Sequence, residues 1–263
     1  MDELLIKAAI VSILIAINTA IAGTLTVFRR ASFLVAGSSH SALAGVAVAL
    51  FLKSIGIDVH YFAFALLAAV FAAFLSAKAS KHGDINTGIA VAFALSMAVA
   101  VVFISMTRNY TSNAWQFLFG DLLLLTDEDF ALISISTSVV LITTSFFYHK
   151  FLFISFDPDG AEAFGINVHL YDFLLISIIS ISVVSALKAV GAILVFSIFI
   201  APSATAMEIG KNTRAIFGIS FIIALLSMYF GLAISYQYSL PAGALAALIA
   251  SIVYFITAAR KIS

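Results

Sequence analysis

A chain of 263 residues that is 63% hydrophobic and only 10% charged, with a mean hydropathy of +1.17, is not a soluble globular domain. Its 13 basic and 13 acidic residues cancel, so the net charge points to neither nucleic acid nor an acidic partner. The absence of cysteine excludes disulfides, thiolate metal sites and Cys-ligated haem or iron–sulfur clusters.

These bounds imply an all-α polytopic membrane protein, a single transmembrane domain over 1–263. The chain starts Met1, Asp2, Glu3, without the basic n-region of a cleaved signal, so the first apolar run is expected to be retained. Apolar runs long enough to cross, or nearly cross, about 30 Å of hydrocarbon lie at roughly 5–28, 32–52, 61–79, 85–106, 130–148, 168–187, 190–207, 215–236 and 241–259. The run from Ala114 to Leu125 is shorter and reads as a re-entrant or interfacial helix. No segment is repeated in tandem.

Basic residues set the expected orientation. With the N-terminus outside and nine alternating spans, Arg29, Arg30, Lys78, Lys81, Lys150, Lys211, Arg214, Arg260 and Lys261 fall in the cytoplasm, and Lys7, Lys53, Arg108 and Lys188 fall outside or at span ends. Nine against four is the asymmetry of the positive-inside rule. The acidic cluster Asp127, Glu128, Asp129 is then external and the C-terminus cytoplasmic.

In spans this apolar, the polar exceptions carry the information. The second opens RRASFLVAGSSHSALAG, whose Gly37, Ser38, Ser39, Ser41, Ala44 and Gly45 let neighbouring backbones approach closely. His40, about ten residues in from Arg30 and so near mid-membrane, either hydrogen-bonds across helices as glue or lines a pathway. Imidazole is also a favoured ligand for first-row transition metals. After the second span, Asp58 and His60 in GIDVHY are either a solvated loop or a weak cation-capturing pair. Asp121, following Gly120, either caps a helix or a turn or sits at an outer mouth.

The segment DPDGAEAFGI stands out as a polar stretch in the middle of the chain. Asp157 reads as an N-cap and Pro158 as N1, where its missing N–H costs nothing. Asp159 and Glu162 sit near the positive helix end, and Gly165 closes the helix in a left-handed C′ conformation. A helix of about two turns, roughly 11 Å, is too short to persist alone. It reads as a cytoplasmic handle held by another protein. In the seventh span, Pro202 is expected to kink or break the helix, with Ser203 and Thr205 resatisfying freed carbonyls, and Pro241 starts the last helix.

The blocks FRRASFLVAGSSHSALAGVA, FLFGDLL, DPDGAEAFGI and KAVGAILVFSIFIAPSATA, with GLAISYQYSLPAGA behind them, occur in one order. Together they resemble the membrane permease family of the zinc/manganese/iron ABC importers. The resemblance implies a type II importer transmembrane bundle of about eight to nine helices, working as a homodimer in the prokaryotic inner membrane. It implies an ABC ATP-binding subunit on the cytoplasmic side and an extracytoplasmic metal-binding protein on the other. The divalent metal is the transported substrate, and no stably bound cofactor is expected. DPDGAEAFGI matches the family's coupling region, and His40 matches the His of its Gly-Asp-Ala-x-Ser-His-Ala motif. The Asp usual four residues earlier is Ala36 here, and the outer Asp before Pro241 is Ser239. The ion would then be held by His40 with backbone carbonyls, hydroxyls such as Ser39, or a second subunit's His40.

The chain lacks a Gly-x-x-x-x-Gly-Lys-[Ser/Thr] phosphate loop, since Gly210-Lys211-Asn212-Thr213 has neither the upstream Gly nor the hydroxyl after Lys. ATP hydrolysis is therefore expected in a separate subunit. An intramembrane metalloprotease would need His-Glu-x-x-His, which is absent. A proton- or sodium-driven transporter would carry several mid-membrane carboxylates, whereas the acids here sit mainly at span ends. A non-transporting structural subunit remains the other alternative.

Overall fold

The structure, a computed structural model, describes residues 2–79, 85–107 and 116–260, and all regular structure among them is helical. Helix α1 (Asp2–Asn18) runs through a π-helical turn (Thr19–Gly23) into α2 (Thr24–Phe28). There follow α3 (Phe33–Ser54), α4 (Tyr61–Ala79), α5 (Ile85–Met106) and α6 (Asp127–Phe156). The short α7 (Pro158–Ala163) precedes α8 (Val168–Val190), α9 (Val195–Ile209), α10 (Thr213–Tyr238) and α11 (Ala242–Ala259). Each of the nine expected spans has its helix. Seven are long and apolar enough to cross a membrane, while Tyr61–Ser76 and Val195–Ile209 are shorter. Of the basic residues used to orient the chain, Lys81, Arg108 and Lys261 lie outside the described residues, as does the side chain of Lys78.

Local chemistry explains where helices begin. Thr126 and Asp129 form a capping box, so α6 starts earlier than hydropathy alone suggests and reaches 30 residues. Asn167 and Asn212 cap α8 and α10 by accepting from Leu170 N–H and Ala215 N–H. Lipid tails are as apolar as leucine, so close packing rather than hydrophobic burial draws spans together. Small residues supply it. A Cβ on Gly45 would meet the Phe64 carbonyl oxygen of α4 at 2.2 Å, and one on Gly37 would meet Ile89 of α5 at 2.9 Å. Helices α3 and α8 are mostly buried; α5, α6, α10 and α11 turn side chains such as Val101, Phe146, Phe230 and Phe255 outward.

The π turn lies where the first helix becomes enclosed. All five of its residues are buried, and the Asn18 amide donates to Thr137 Oγ1 of α6 at 2.7 Å. The Thr19 carbonyl accepts from Ser203 Oγ of α9 at 3.4 Å, and a Cβ on Gly23 would lie 2.2 Å from the Phe199 carbonyl oxygen.

Two expectations are corrected. The apolar run through Leu125 is not one helix: its described part is helical only over 116–119, and Ala114 and Trp115 lie outside the described residues. The cause is Gly120, with φ +69°, which turns the chain into an irregular segment running to Thr126. The chain is also not broken at Pro202, because α9 continues through it to Ile209. Proline removes only its own bond to the carbonyl four residues back. Beyond it Ser203 Oγ donates to Phe199 O (2.9 Å) and Thr205 Oγ1 to Ala201 O (2.7 Å).

The interruption lies instead between α8 and α9, at Gly191 with φ +94°. There residues 117–121 meet it backbone to backbone. Ala192 N–H donates to Phe117 O (2.9 Å), Ile193 N–H to Leu118 O (3.3 Å) and Asp121 N–H to Lys188 O (3.1 Å). Within a membrane bundle, non-helical backbone is tolerable only when paired like this inside protein. A Cβ on Gly191 would lie 2.4 Å from the Phe119 carbonyl carbon. Gly191→Ala should therefore destabilise the protein by about 2 kcal/mol or more, from backbone strain and overlap. This should appear as a fall of about 5 °C or more in apparent Tm in detergent; an unchanged melting curve would contradict the close contact.

Candidate functional site

Contacts between helix ends sort the polar residues into two groups. At one end Lys7 pairs with Asp127 (2.6 Å) and Glu3 (3.0 Å), His60 Nε2 donates to Glu128 (2.8 Å), and Lys188 pairs with Asp129 (2.7 Å). At the other, Phe28 packs against Phe156 (4.9 Å between centroids) and edge-to-face with Phe217 (5.9 Å), and Arg29 pairs with Asp172. Among the described side chains the first end carries Glu3, Asp58, Asp121, Asp127, Glu128 and Asp129 against Lys7, Lys53 and Lys188. The excess of acid there attracts cations from solution.

His40 lies between the two ends, half-buried on α3, its ring edge-on to Phe93 of α5 at 4.5 Å between centroids. Its Nδ1 is buried without a hydrogen-bond partner. The hydroxyls around it are committed elsewhere. Ser38 Oγ meets Ser180 Oγ of α8 (3.4 Å), and Ser41 Oγ meets Ser96 Oγ of α5 (2.7 Å). Ser39, fully buried, donates to Ala36 O (3.0 Å) and to Ala192 O at the α8–α9 junction (3.1 Å). The serines hold helices together, and His40 alone of this run keeps a buried lone pair or N–H unspent. Ser39 and His40 leave α3 in different directions, as consecutive helical residues must. No group of three or more His, Asp or Glu side chains among the described residues is arranged to hold a metal.

The acidic end opens on a cavity of about 460 Å³ whose walls include Asp58, His60, Glu128, Asp129, Lys53 and Lys188. Two of the three residues assigned from sequence to an outer mouth, Asp58 and His60, line this cavity. Asp121 does not: its carboxylate accepts from Leu123 N–H (2.8 Å), so it closes a turn. Within the cavity Lys188 holds both oxygens of Asp129 (2.9 and 2.7 Å), and Lys53 lies 3.8 Å from Asp58.

At the opposite end, α7 is built as its sequence indicates. Asp157 accepts from Gly160 N–H at 2.9 Å, with Pro158 at N1. The close is a Schellman motif: Gly165 (φ +79°) donates to Glu162 O (2.9 Å) and Ile166 to Ala161 O (3.0 Å). Only Ala161 is buried; Asp157, Pro158, Asp159, Glu162 and Gly165 are exposed, and so is Phe164 at 81%. The capped helix thus shows two carboxylates and an aromatic ring outward.

Sequence reasoning assigned no role to Glu128 and Lys188 in the cavity wall, or to Asp172 beside Arg29. Asp172 could have been found: a carboxylate inside the run VHLYDFLLIS is costly without a cation nearby. The cavity could not, because its walls come from segments far apart in the chain.

A model of the ABC 3 transport family matches residues 1–261. The chain is 31% identical over 250 residues to the manganese transport system membrane protein MntC of Listeria monocytogenes, covering 95% of this chain and 88% of the relative. It is 30% identical over 244 residues to the high-affinity zinc uptake system membrane protein ZnuB of Haemophilus influenzae, covering 92% of each. Among solved structures, PsaBC from Streptococcus pneumoniae in complex with Fab superposes with a TM-score of 0.84 at 24% identity, over 95% of this chain and 89% of that one.

Proposed function

From the premise that this chain belongs to the ABC 3 transport family, we propose that it is the permease subunit of an ATP-driven importer of manganese or zinc. The observation that carries the reading is the capped, exposed α7 at one end of a membrane bundle that has no phosphate loop of its own. Such a bundle needs energy from a partner and shows the partner something to hold. The ATP-binding subunit docks on α7, in the cytoplasm, and an extracytoplasmic metal-binding protein delivers the ion at the acidic end. The N-terminus is then outside, the C-terminus cytoplasmic and the membrane the prokaryotic inner membrane. Two copies face one another as a homodimer, in keeping with the family resemblance.

In this reading the ion enters by way of the acidic cavity, passes His40 and leaves toward the cytoplasm as the two helix ends open alternately. A site with few ligands suits passage, because transport requires release as well as entry. Hydroxyls bind first-row metals weakly compared with imidazole, and those beside His40 are spent on packing, so the imidazole does the holding.

The test is co-purification and reconstitution. The detergent-solubilised chain should retain an ATPase subunit, and the complex in vesicles should hydrolyse ATP faster when Mn²⁺ or Zn²⁺ is supplied with its binding protein. A permease that purifies without any ATPase and moves metal on a proton or sodium gradient would replace this reading with that of a secondary transporter.

A further inference from the structure

We propose that the Arg29–Asp172 ion pair is the link through which movement of α7 reaches the helix carrying His40. The proposal rests on the reading of α7 as the docking element, and it makes Arg29 and Asp172 positioning residues.

Helix α7 hangs between two stems. The first is α6, which ends at Phe156; the second is α8, which begins at Val168. The same two consecutive residues at the end of α2 hold both. Phe28 packs its ring on Phe156, the last residue of the first stem, at 4.9 Å between centroids. Arg29 pairs its guanidinium with Asp172, about one turn into the second. The two contacts differ in kind. Rings in tilted contact slide over one another at little cost, whereas two opposite charges sheltered from water resist being drawn apart. The side chains of Arg29 and Asp172 are only 18% and 25% exposed. Salt and water screen such a pair far less than one on an open surface.

The backbone just beyond Arg29 has little slack. Arg30 has φ +54°, a left-handed conformation costly for a side chain of its size. The turn around it is closed by Arg30 N–H to Val27 O (3.0 Å), Ala31 N–H to Thr26 O (3.1 Å) and Leu34 N–H to Ala31 O (2.8 Å). Helix α3 then starts at Phe33, and His40 lies seven residues on, roughly 10 Å along the axis. A push on α7 tilts the start of α8; Asp172 carries Arg29 with it, and the stiff turn passes the displacement to α3. The same α2 is continuous with the π turn, so the shift is shared between the two halves of the first helix.

The test uses the permease–ATPase complex in vesicles loaded with ATP, with the metal-binding protein and Mn²⁺ outside, and uptake and phosphate release followed on the same sample. Arg29→Ala and Asp172→Asn should keep the ATPase bound and hydrolysing, while ions moved per ATP fall about 10-fold, inside the 5- to 150-fold range of typical site-to-site couplings. Arg29→Lys, which keeps a cation on a long stem, should recover most of the ratio. A wild-type ratio in either charge-removing variant overturns the proposal. So does loss of ATPase binding or of the folded complex in both, because the pair would then merely hold α7 in place. A lysine variant as uncoupled as the alanine variant overturns it too. If the wild-type chain itself binds no ATPase, the functional reading has failed first; if the wild type transports normally and only the pair proves irrelevant, that reading stands.

Discussion

Reversing both exposed carboxylates of α7, in the double variant Asp159→Arg with Glu162→Arg, should weaken ATPase binding by about 100-fold or more, equivalent to about 2.7 kcal/mol. A surface evolved against two negative charges then meets two positive ones, and like charges brought together across an interface cost several kcal/mol. The permease itself should fold. Both side chains are exposed, and the elements that make the helix, the Asp157 cap and the Gly165 close, are untouched. Size-exclusion chromatography of the co-expressed subunits reads the result directly, with the melting curve of the permease alone as the control for folding. Wild-type affinity and transport in this variant would remove α7 from the contact.

His40→Ala should lower Mn²⁺ or Zn²⁺ uptake by about 100-fold, the upper end of the 10- to 100-fold typically lost when a mere outer-shell partner of a metal is removed. The subunit should still assemble with its ATPase and keep its basal hydrolysis. The size of the effect comes from the surroundings of the ring: Ser38, Ser39 and Ser41 have spent their hydroxyls on α8, the α8–α9 junction and α5. Nothing nearby on α3 takes over. Ala36, one turn earlier and half-buried, offers the converse experiment. Ala36→Asp places a carboxylate within reach of the same ion, so tighter retention with a lower apparent KM is expected. Uptake by His40→Ala at the wild-type rate would return the residue to the role of a packing group against Phe93.

Much of the architecture was legible because membranes restrict the choices. Every span had to be helical, and the nine apolar runs marked them. The DPDGAEAFGI handle was legible to the level of single hydrogen bonds, since cap, N1 proline and C′ glycine are local devices whose effect does not depend on the rest of the fold. The segment from 120 to 126 was not, because its run of leucines has the composition of a helix, while the turn at Gly120 and its backbone pairing beside Gly191 leave it irregular. Pro202 did not break its helix: proline is a strong local signal, but the enclosed helix around it continues past a single missing bond. The pairs Arg29–Asp172 and His60–Glu128 join residues more than sixty positions apart, and no spacing rule reaches that far.

The π turn at Thr19–Gly23 holds one residue more than an α-helical turn would. Residues on its two sides are therefore out of phase by about 100° relative to a continuous α-helix. Asn18 reaches Thr137 from one side while Gly23 lies flat against Phe199 on the other, and a straight helix could not present both. A relative one residue shorter in this stretch would be a protein whose first helix has lost its extra register, with one of those two contacts rebuilt. A single-residue gap there, when such sequences are aligned, is a record of shape.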